Sequence, residues 1–399
     1  MVAPLRLLLL PHSLGVAYLD ELRRFTVHFF AEHYPGRPTH PGGRVKRWSN
    51  GVGPVGACLH YDASANGWGT VGWGVWNAQN TGSSYHATVF DGLIESVAAF
   101  LEEHAQEYPL LRVYMTAATF LHAERNKGTW NCNWANAELF GIEQRNLGPL
   151  YLRGGRYVSI QGGRLVSPMR PAVQAGKLHW EPFALDQVLA TVNLCRALVG
   201  WMGDAFKPEW VLPHQCIWWS KSDTGFAYPI HQVRRLIFLS DDLVANPHAV
   251  LEKDPEFALP KDLVHHEQCT TEAPCDDIDA FDPSVETDLL ADFIERGPSA
   301  EGREQDDPGS EAPDWAKIEK EQPKWKRGLP QFRAQAYAFG YHVSPVAEED
   351  PFEVDTMLEH AALVFQKSTI YSKVDTLTRD GVPGEKTQAA LAKRLAAYL

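Results

Sequence analysis

The chain has 399 residues, 44% hydrophobic and 22% charged, which is enough apolar material for two or three packed domains. A formal net charge of −13 argues against a nucleic-acid partner, because phosphate backbones are gripped by Lys and Arg. Six scattered cysteines without a CxxC pair argue against a disulfide scaffold, and no apolar run reaches the length of a membrane span.

At the N-terminus, MVAPLRLLLLPHSLG contains a short apolar run, Leu7–Leu10, without a small-x-small site, so no export signal is evident. Leu19–Tyr34 places Leu22, Phe25, Phe29 and Phe30 at helical spacing. Pro35–Gly53, rich in Gly, Pro and basic residues, is expected to be loop. Residues 1–50 are taken as an N-terminal extension.

Residues 51–239 are expected to form a compact α/β domain. Val55–His60 (VGACLH) is a short apolar strand ending in a histidine. Ser83–Gly92 is a strand closed by an Asp-Gly turn, and Glu138–Asn146 (ELFGIEQRN) is another strand. Phe183–Met202 has helical periodicity without a breaker until Gly200. Trp210–Cys216 leads into a loop, SKSDTGFAYP, and then a short amphipathic helix, HQVRRLIFL. Gly67–Asn77 interleaves Gly and Trp, a pattern that suits either a lid offering stacking surfaces or plain packing.

Residues 240–328 change character. Between Leu251 and Lys320 stand 21 Asp or Glu against six Lys or Arg, a net −15 that leaves about +2 for the rest of the chain. An acidic, Pro-rich segment with few aromatics is expected to be linker or insertion. A small loop closed by Cys269 and Cys275, or a metal site at His265 and His266, is not favoured there. Residues 329–399 carry three helical patterns, QFRAQAYAFGY, DTMLEHAALVFQ and GEKTQAALAKRLAAYL, a small all-α module.

His60, His214 and Asp223, the last nine residues beyond His214, form a candidate metal set. Two imidazoles and a carboxylate leave a fourth position open, as in catalytic zinc sites. With 16 histidines in the chain, spacing alone does not decide the matter, and neither HExxH nor paired CxxC is present. Taken singly, Glu143 is most simply a solvent-facing strand residue, Lys221 a loop lysine and Tyr85 a core aromatic.

The order of the motifs says more. A strand ending in His60, then SSYHATVFDG, then TFLHAERNKGTWNCN, then FGIEQRN, then VLPHQCIWWSKSDTG resembles the type-2 N-acetylmuramoyl-L-alanine amidase family over about Val55–Ile237. That family includes phage-lysozyme amidases, bacterial zinc amidases and peptidoglycan recognition proteins. The resemblance implies a mixed central β-sheet flanked by helices and one catalytic zinc ion held by His60, His214 and Asp223. It implies Glu143 as general base, Lys221 as oxyanion stabiliser, Tyr85 as a catalytic tyrosine, and His122 and Asn133 in the substrate groove. Two departures stand out: Leu121 replaces the usual Trp before His122, and Thr224-Gly225 replaces the frequent Pro-Gly.

The C-terminal module resembles the three-helix peptidoglycan-binding module, through Phe365-Gln366, Asp380-Gly381, Gly384 and Thr387. The expected partner is therefore peptidoglycan or its muropeptides, with no nucleic acid and no membrane span. The expected activity is hydrolysis of the lactyl amide at the bacterial cell wall. The lack of an export signal favours a phage lysin or secreted effector. A non-catalytic recognition protein and a zinc endopeptidase are the alternatives.

Overall fold

A computed structural model of the chain describes residues 8–40, 46–124, 127–130, 132–161, 164–168, 170, 172–244, 320, 322–347, 350–369 and 377–398. Most of the acidic segment, with Cys269, Cys275, His265 and His266, lies outside the described residues, as does Leu7.

Apart from a short antiparallel pair, Lys46–Arg47 with Lys127–Gly128, the strands among the described residues are β1 (Gly56–Tyr61), β2 (Ala87–Val89), β3 (Thr119–Leu121), β4 (Leu139–Gln144), β5 (Pro149–Arg153), β6 (Arg156–Gln161), β7 (Arg164–Val166), β8 (Val173–Ala175), β9 (Leu178–Trp180) and β10 (Val211–Pro213). The helices are α1 (Gly15–His33), α2 (Glu95–Glu103), α3 (Pro109–Tyr114), α4 (Leu185–Met202), α5 (Ile230–Phe238), α6 (Leu329–Phe339), α7 (Thr356–Ser368) and α8 (Glu385–Leu395).

The central sheet has the order β10-β1-β4-β2-β3, in which β10, β1, β4 and β2 run parallel and β3 is antiparallel to β2. It is a mixed sheet flanked by helices. The continuous apolar runs in β1 and β4 follow from this, since a central parallel strand is covered on both faces. Of β1, Gly56 through His60 are all buried.

The helical spacing in the N-terminal region produces α1, which buries Tyr18, Leu22, Phe25, Phe29 and Phe30 in the same core as the sheet and α4. Phe25 stacks on Phe120 of β3 at 5.8 Å. Each such side chain contributes on the order of 1.5–3 kcal/mol by leaving water. Where α1 begins it passes close to α4: a Cβ on Gly15 would lie 2.6 Å from the Ala197 carbonyl oxygen.

A second sheet, of order β8-β9-β5-β6-β7, occupies residues 149–180, a stretch the sequence patterns left unread. Helices α2 and α3 were likewise not legible. The Gly-Trp segment forms two helical turns, Gly67–Val71 and Gly72–Trp76, capped by the Asn66 side chain accepting from Gly69 N–H. Glycine is required at position 74 because the Tyr85 ring lies directly against it. Trp68 and Trp76 pack on the core, while Trp73 is exposed.

The chain divides into two compact units. The first holds Met1–Gln174, His179–Gln215 and Lys221–Ile278, and the second holds Ala175–Leu178, Cys216–Ser220 and Asp279–Leu399. Within the second, helical unit the motif residues meet. Gln366 Nε2 donates to Asp380 Oδ1 (3.1 Å) and the Val382 carbonyl (2.9 Å), and Gly381 N–H donates to Gln366 Oε1 (3.0 Å). Thr387 Oγ1 lies 3.3 Å from the same amide nitrogen, and Phe365 is fully buried. Gly381 has φ +73°, which explains glycine after Asp380. These motif residues hold the helices together.

Candidate active site

Register places the site. β1 and β4 are parallel with His60 opposite Glu143, and β2 pairs with β4 so that Thr88 is opposite Glu143. On the other flank Pro213 of β10 is opposite Leu59, which brings His214 level with His60. Parallel neighbours in register project to the same face. The constellation therefore gathers at the carboxyl ends of parallel strands, where open α/β sheets hold their ligands.

Asp223 returns to this point from a loop. Its carbonyl accepts from Gln215 N–H, and Ser222 Oγ is 3.0 Å from the Tyr61 hydroxyl. Asp223 Oδ2 then lies 2.8 Å from His214 Nδ1 and 3.1 Å from His60 Nδ1, and the two imidazole rings are 4.2 Å apart. All three side chains are buried. Glu143 Oε1 stands 3.9 Å from His60 Nδ1, with 13% of its side chain exposed.

The electrostatics are unequal across this set. Burial works against a charged His60, but Glu143, Asp223 and Cys132 outweigh it and hold the ring up at about 10. Burial takes His214 the other way, down to about 4. Burial alone would raise the Asp223 carboxyl, yet His214 and His60 hold it well below the usual carboxylate range. The Glu143 and Asp223 carboxylates together thus favour a proton on His60.

Do these donors suit a metal? Donors about 2.0–2.2 Å from a shared tetrahedral ion lie roughly 3.3–3.5 Å from one another. The two Nδ1–Oδ2 separations fall within several tenths of an ångström of that, and two imidazoles with one carboxylate is a zinc-type donor set. The residues present fit the ion.

The other expected site residues are spread more widely. Lys221 is exposed, on the loop two residues before Asp223, and its charge helps lower His214. Tyr85 is buried, and its hydroxyl donates to the Thr70 carbonyl; burial, followed by the nearby Glu143, pushes the phenol well above its ordinary value. His122 is fully buried just past β3, its Nε2 2.9 Å from Thr88 Oγ1 and its ring 6.0 Å from Tyr85; burial pulls it to about 3. Asn133 is half-buried, with a left-handed φ of +53°.

Two cysteines with no sequence-predicted role flank His60. Cys58 Sγ is 3.0 Å from His60 Nε2 and Cys132 Sγ is 3.8 Å from it, both residues fully buried. Cys58 was findable, because it lies two residues before His60 on the same strand face. Cys132 arrives from a loop and carries no such signal.

No protein-family model and no curated protein matches the chain. Among solved structures, the N-acetylmuramyl-L-alanine amidase AmiD from E. coli, in complex with anhydro-N-acetylmuramic acid-L-Ala-D-gamma-Glu-L-Lys, is similar over 88% of this chain and 93% of its own, with 15% identity and a TM-score of 0.33. AmpDH3 from Pseudomonas aeruginosa, in complex with anhydromuramic pentapeptide, is similar over 78% of this chain and 91% of its own, with 16% identity and a TM-score of 0.31.

Proposed function

We propose that this chain is a zinc-dependent hydrolase that cleaves the amide between N-acetylmuramic acid and L-alanine in peptidoglycan. The observation that carries the hydrolase reading is the convergence of His60 Nδ1, His214 Nδ1 and Asp223 Oδ2, with the Glu143 carboxylate beside them. The substrate class follows from the ordered motifs between Val55 and Ile237.

When bound, zinc supplies a Lewis acid that polarises an amide carbonyl and brings the pKa of a water to about 7. The protein residues do the rest. His60, His214 and Asp223 would hold the ion. Glu143 takes the proton of the attacking water and returns it to the leaving L-alanine nitrogen, ordinary general acid–base work. Lys221, on the exposed loop, places positive charge where the tetrahedral oxyanion develops. Tyr85 is the proposed catalytic tyrosine; it lies near enough to Glu143 to feel its charge, and its hydroxyl, held at the Thr70 carbonyl, would have to leave that bond to act. Asn133, half-buried, would line the substrate groove, whereas His122, fully buried against Thr88, could act only from behind it.

The helical module would then hold the enzyme near an insoluble wall. Five ordered motifs favour the lactyl amide over a stem-peptide bond. The test is mass spectrometry of digested sacculi: free stem peptides beginning with L-alanine support the amidase, shortened stems indicate an endopeptidase, and unaltered sacculi indicate recognition alone.

A further inference from the structure

A second cluster of metal-type donors lies on the outside of the first unit and shares no residue with the site above. His28 and Glu32 stand at i and i+4 of α1, on one face of that helix. His104, which caps the C-terminus of α2, meets them from a different helix. The His28 and His104 rings are 4.6 Å apart. Glu32 Oε1 is 2.8 Å from His28 Nε2 and 3.8 Å from His104 Nε2, and all three donor atoms lie within 4.8 Å of one another.

An exposed His–Glu pair on a helix is common and by itself signals nothing. Three further observations set this cluster apart. His104 Nε2 is buried and makes no hydrogen bond. The far nitrogen of each ring is already anchored: His28 Nδ1 lies 2.9 Å from the Tyr108 hydroxyl, and His104 Nδ1 lies 3.1 Å from Glu107 Oε1. Holding one ring nitrogen by a hydroxyl or carboxylate is how proteins orient a ligating histidine and fix its tautomer. Both rings also pack on Phe100, at 4.9 Å and 4.3 Å, which restrains their rotation.

The spacing agrees with this. Donors about 2.0–2.2 Å from one tetrahedral ion lie roughly 3.3–3.5 Å apart, and 2.8 and 3.8 Å straddle that value. Glu32 is nearly half exposed, so its carboxylate can shift by a few tenths of an ångström between the two rings. Two imidazoles and one carboxylate suit a borderline divalent ion such as zinc, with water in the fourth position.

We propose that His28, Glu32 and His104 form a second, surface zinc site that clamps α1 to the end of α2. It is a stabilising site, since the ion would cross-link two helices that are far apart in sequence.

The test uses the full chain, stripped with a chelator, reloaded with a small excess of zinc and desalted, with zinc per chain measured by mass spectrometry. His104→Ala and His28→Asn should each bind one equivalent fewer than the unaltered chain, and the zinc-dependent rise in melting temperature should shrink by the same step. His60→Ala, which removes a ligand of the other site, should still lose an equivalent when His104→Ala is added. Circular dichroism identifies any variant that fails to fold, and the second single variant then decides. If both folded variants bind as much zinc as the unaltered chain, the proposal is overturned. If His60→Ala binds as much as the unaltered chain while His104→Ala binds less, the surface site stands and the active-site reading fails.

Discussion

Glu143 stands opposite His60 in the parallel register of the two central strands, with its Oε1 3.9 Å from His60 Nδ1. A carboxylate at that distance is near enough to share a water with a metal held on Nδ1. Glu143→Gln should therefore bind zinc as the unaltered chain does and lose about 10²–10⁴-fold in turnover, the usual contribution of a general acid–base group. Zinc content and hydrolysis of a soluble muropeptide, measured on the same preparation, check this. Turnover within about threefold of the unaltered chain would move proton transfer to another group.

Chelation should abolish hydrolysis and zinc should restore it, while His214→Ala and Asp223→Asn should lose metal and activity together. The held-up pKa of His60 adds a second readout. At pH 7 that ring carries a proton in the metal-free protein, which the ion must displace from Nδ1. Zinc binding should release about one proton from this site, visible as a dependence of the calorimetric heat on buffer ionisation enthalpy. Binding without proton release would mean that His60 is neutral before the ion arrives, and metal binding by His60→Ala then decides whether it is a ligand.

Much of this site is visible in the sequence because strand-end residues in parallel neighbours need only one register to meet. His60, Glu143 and His214 each end or follow an apolar run, and the sheet order β10-β1-β4 brings those ends level. Asp223, in a loop without periodicity, was legible by its spacing from His214 and by the order of motifs, and Glu143 gained a role only from that order. The 149–180 sheet was missed for a related reason. Its strands are short, and Tyr151, Leu152, Ile160 and Leu165 are exposed, so apolar residues do not mark a buried face. The helix α1 was found, but its sharing of one core with the sheet was not, because periodicity gives a buried stripe without naming what covers it.

Two histidines outside the donor set make stability fall on acidification. Burial holds His86 and His122 down at about 3 in the folded chain, against about 6.5 unfolded. The unfolded state then binds more protons below pH 6.5, so stability rises with pH there and is lost as pH falls toward 3. For the two together the loss between pH 6 and pH 5 should be about 2 kcal/mol. Urea midpoints at the two pH values measure it. His122→Asn should reduce the slope by about one proton; an unchanged slope would show that His122 titrates equally in both states.

Cys58 should matter for metal affinity rather than for the chemistry. Its sulfur is 3.0 Å from His60 Nε2, where it can fix which nitrogen faces the metal. Removing such a support typically costs about 10–100-fold in affinity or activity. Cys58→Ala should weaken zinc binding by about tenfold, whereas Cys58→Ser, which keeps a hydrogen-bonding atom, should recover most of it. Equal losses in the two variants would point to packing in place of hydrogen bonding.

The segment just after Glu143 is held by a buried ion pair, and this sets how firmly the catalytic strand ends. Arg145 and Glu181 are both buried and paired directly. Glu181 Oε2 also accepts from Leu147 N–H at 2.6 Å, and Arg145 donates to the Ala65 carbonyl at 2.9 Å, so the pair ties strand β4 to the loop that follows β1. The pair belongs to a cluster with Asp91, 3.6 Å from Arg145, and Arg170, 3.5 Å from Glu181. Removing one member therefore leaves the other with a more distant partner, and costs less than the loss of about 3–5 kcal/mol for an isolated buried pair. Glu181→Gln and Arg145→Met should each destabilise, by less than that. Replacing both, Arg145→Met with Glu181→Leu, should recover much of the stability, since the remaining charges, Arg170 and Asp91, stay paired with each other at 3.7 Å. Turnover should not recover with it. The lost ties at Ala65 and Leu147 lie within a few residues of Glu143 and His60, and small displacements there cost catalysis more than folding. Denaturant midpoints and muropeptide kinetics on the three variants separate the two effects. A double variant restored in both stability and turnover would show that the ion pair serves folding alone.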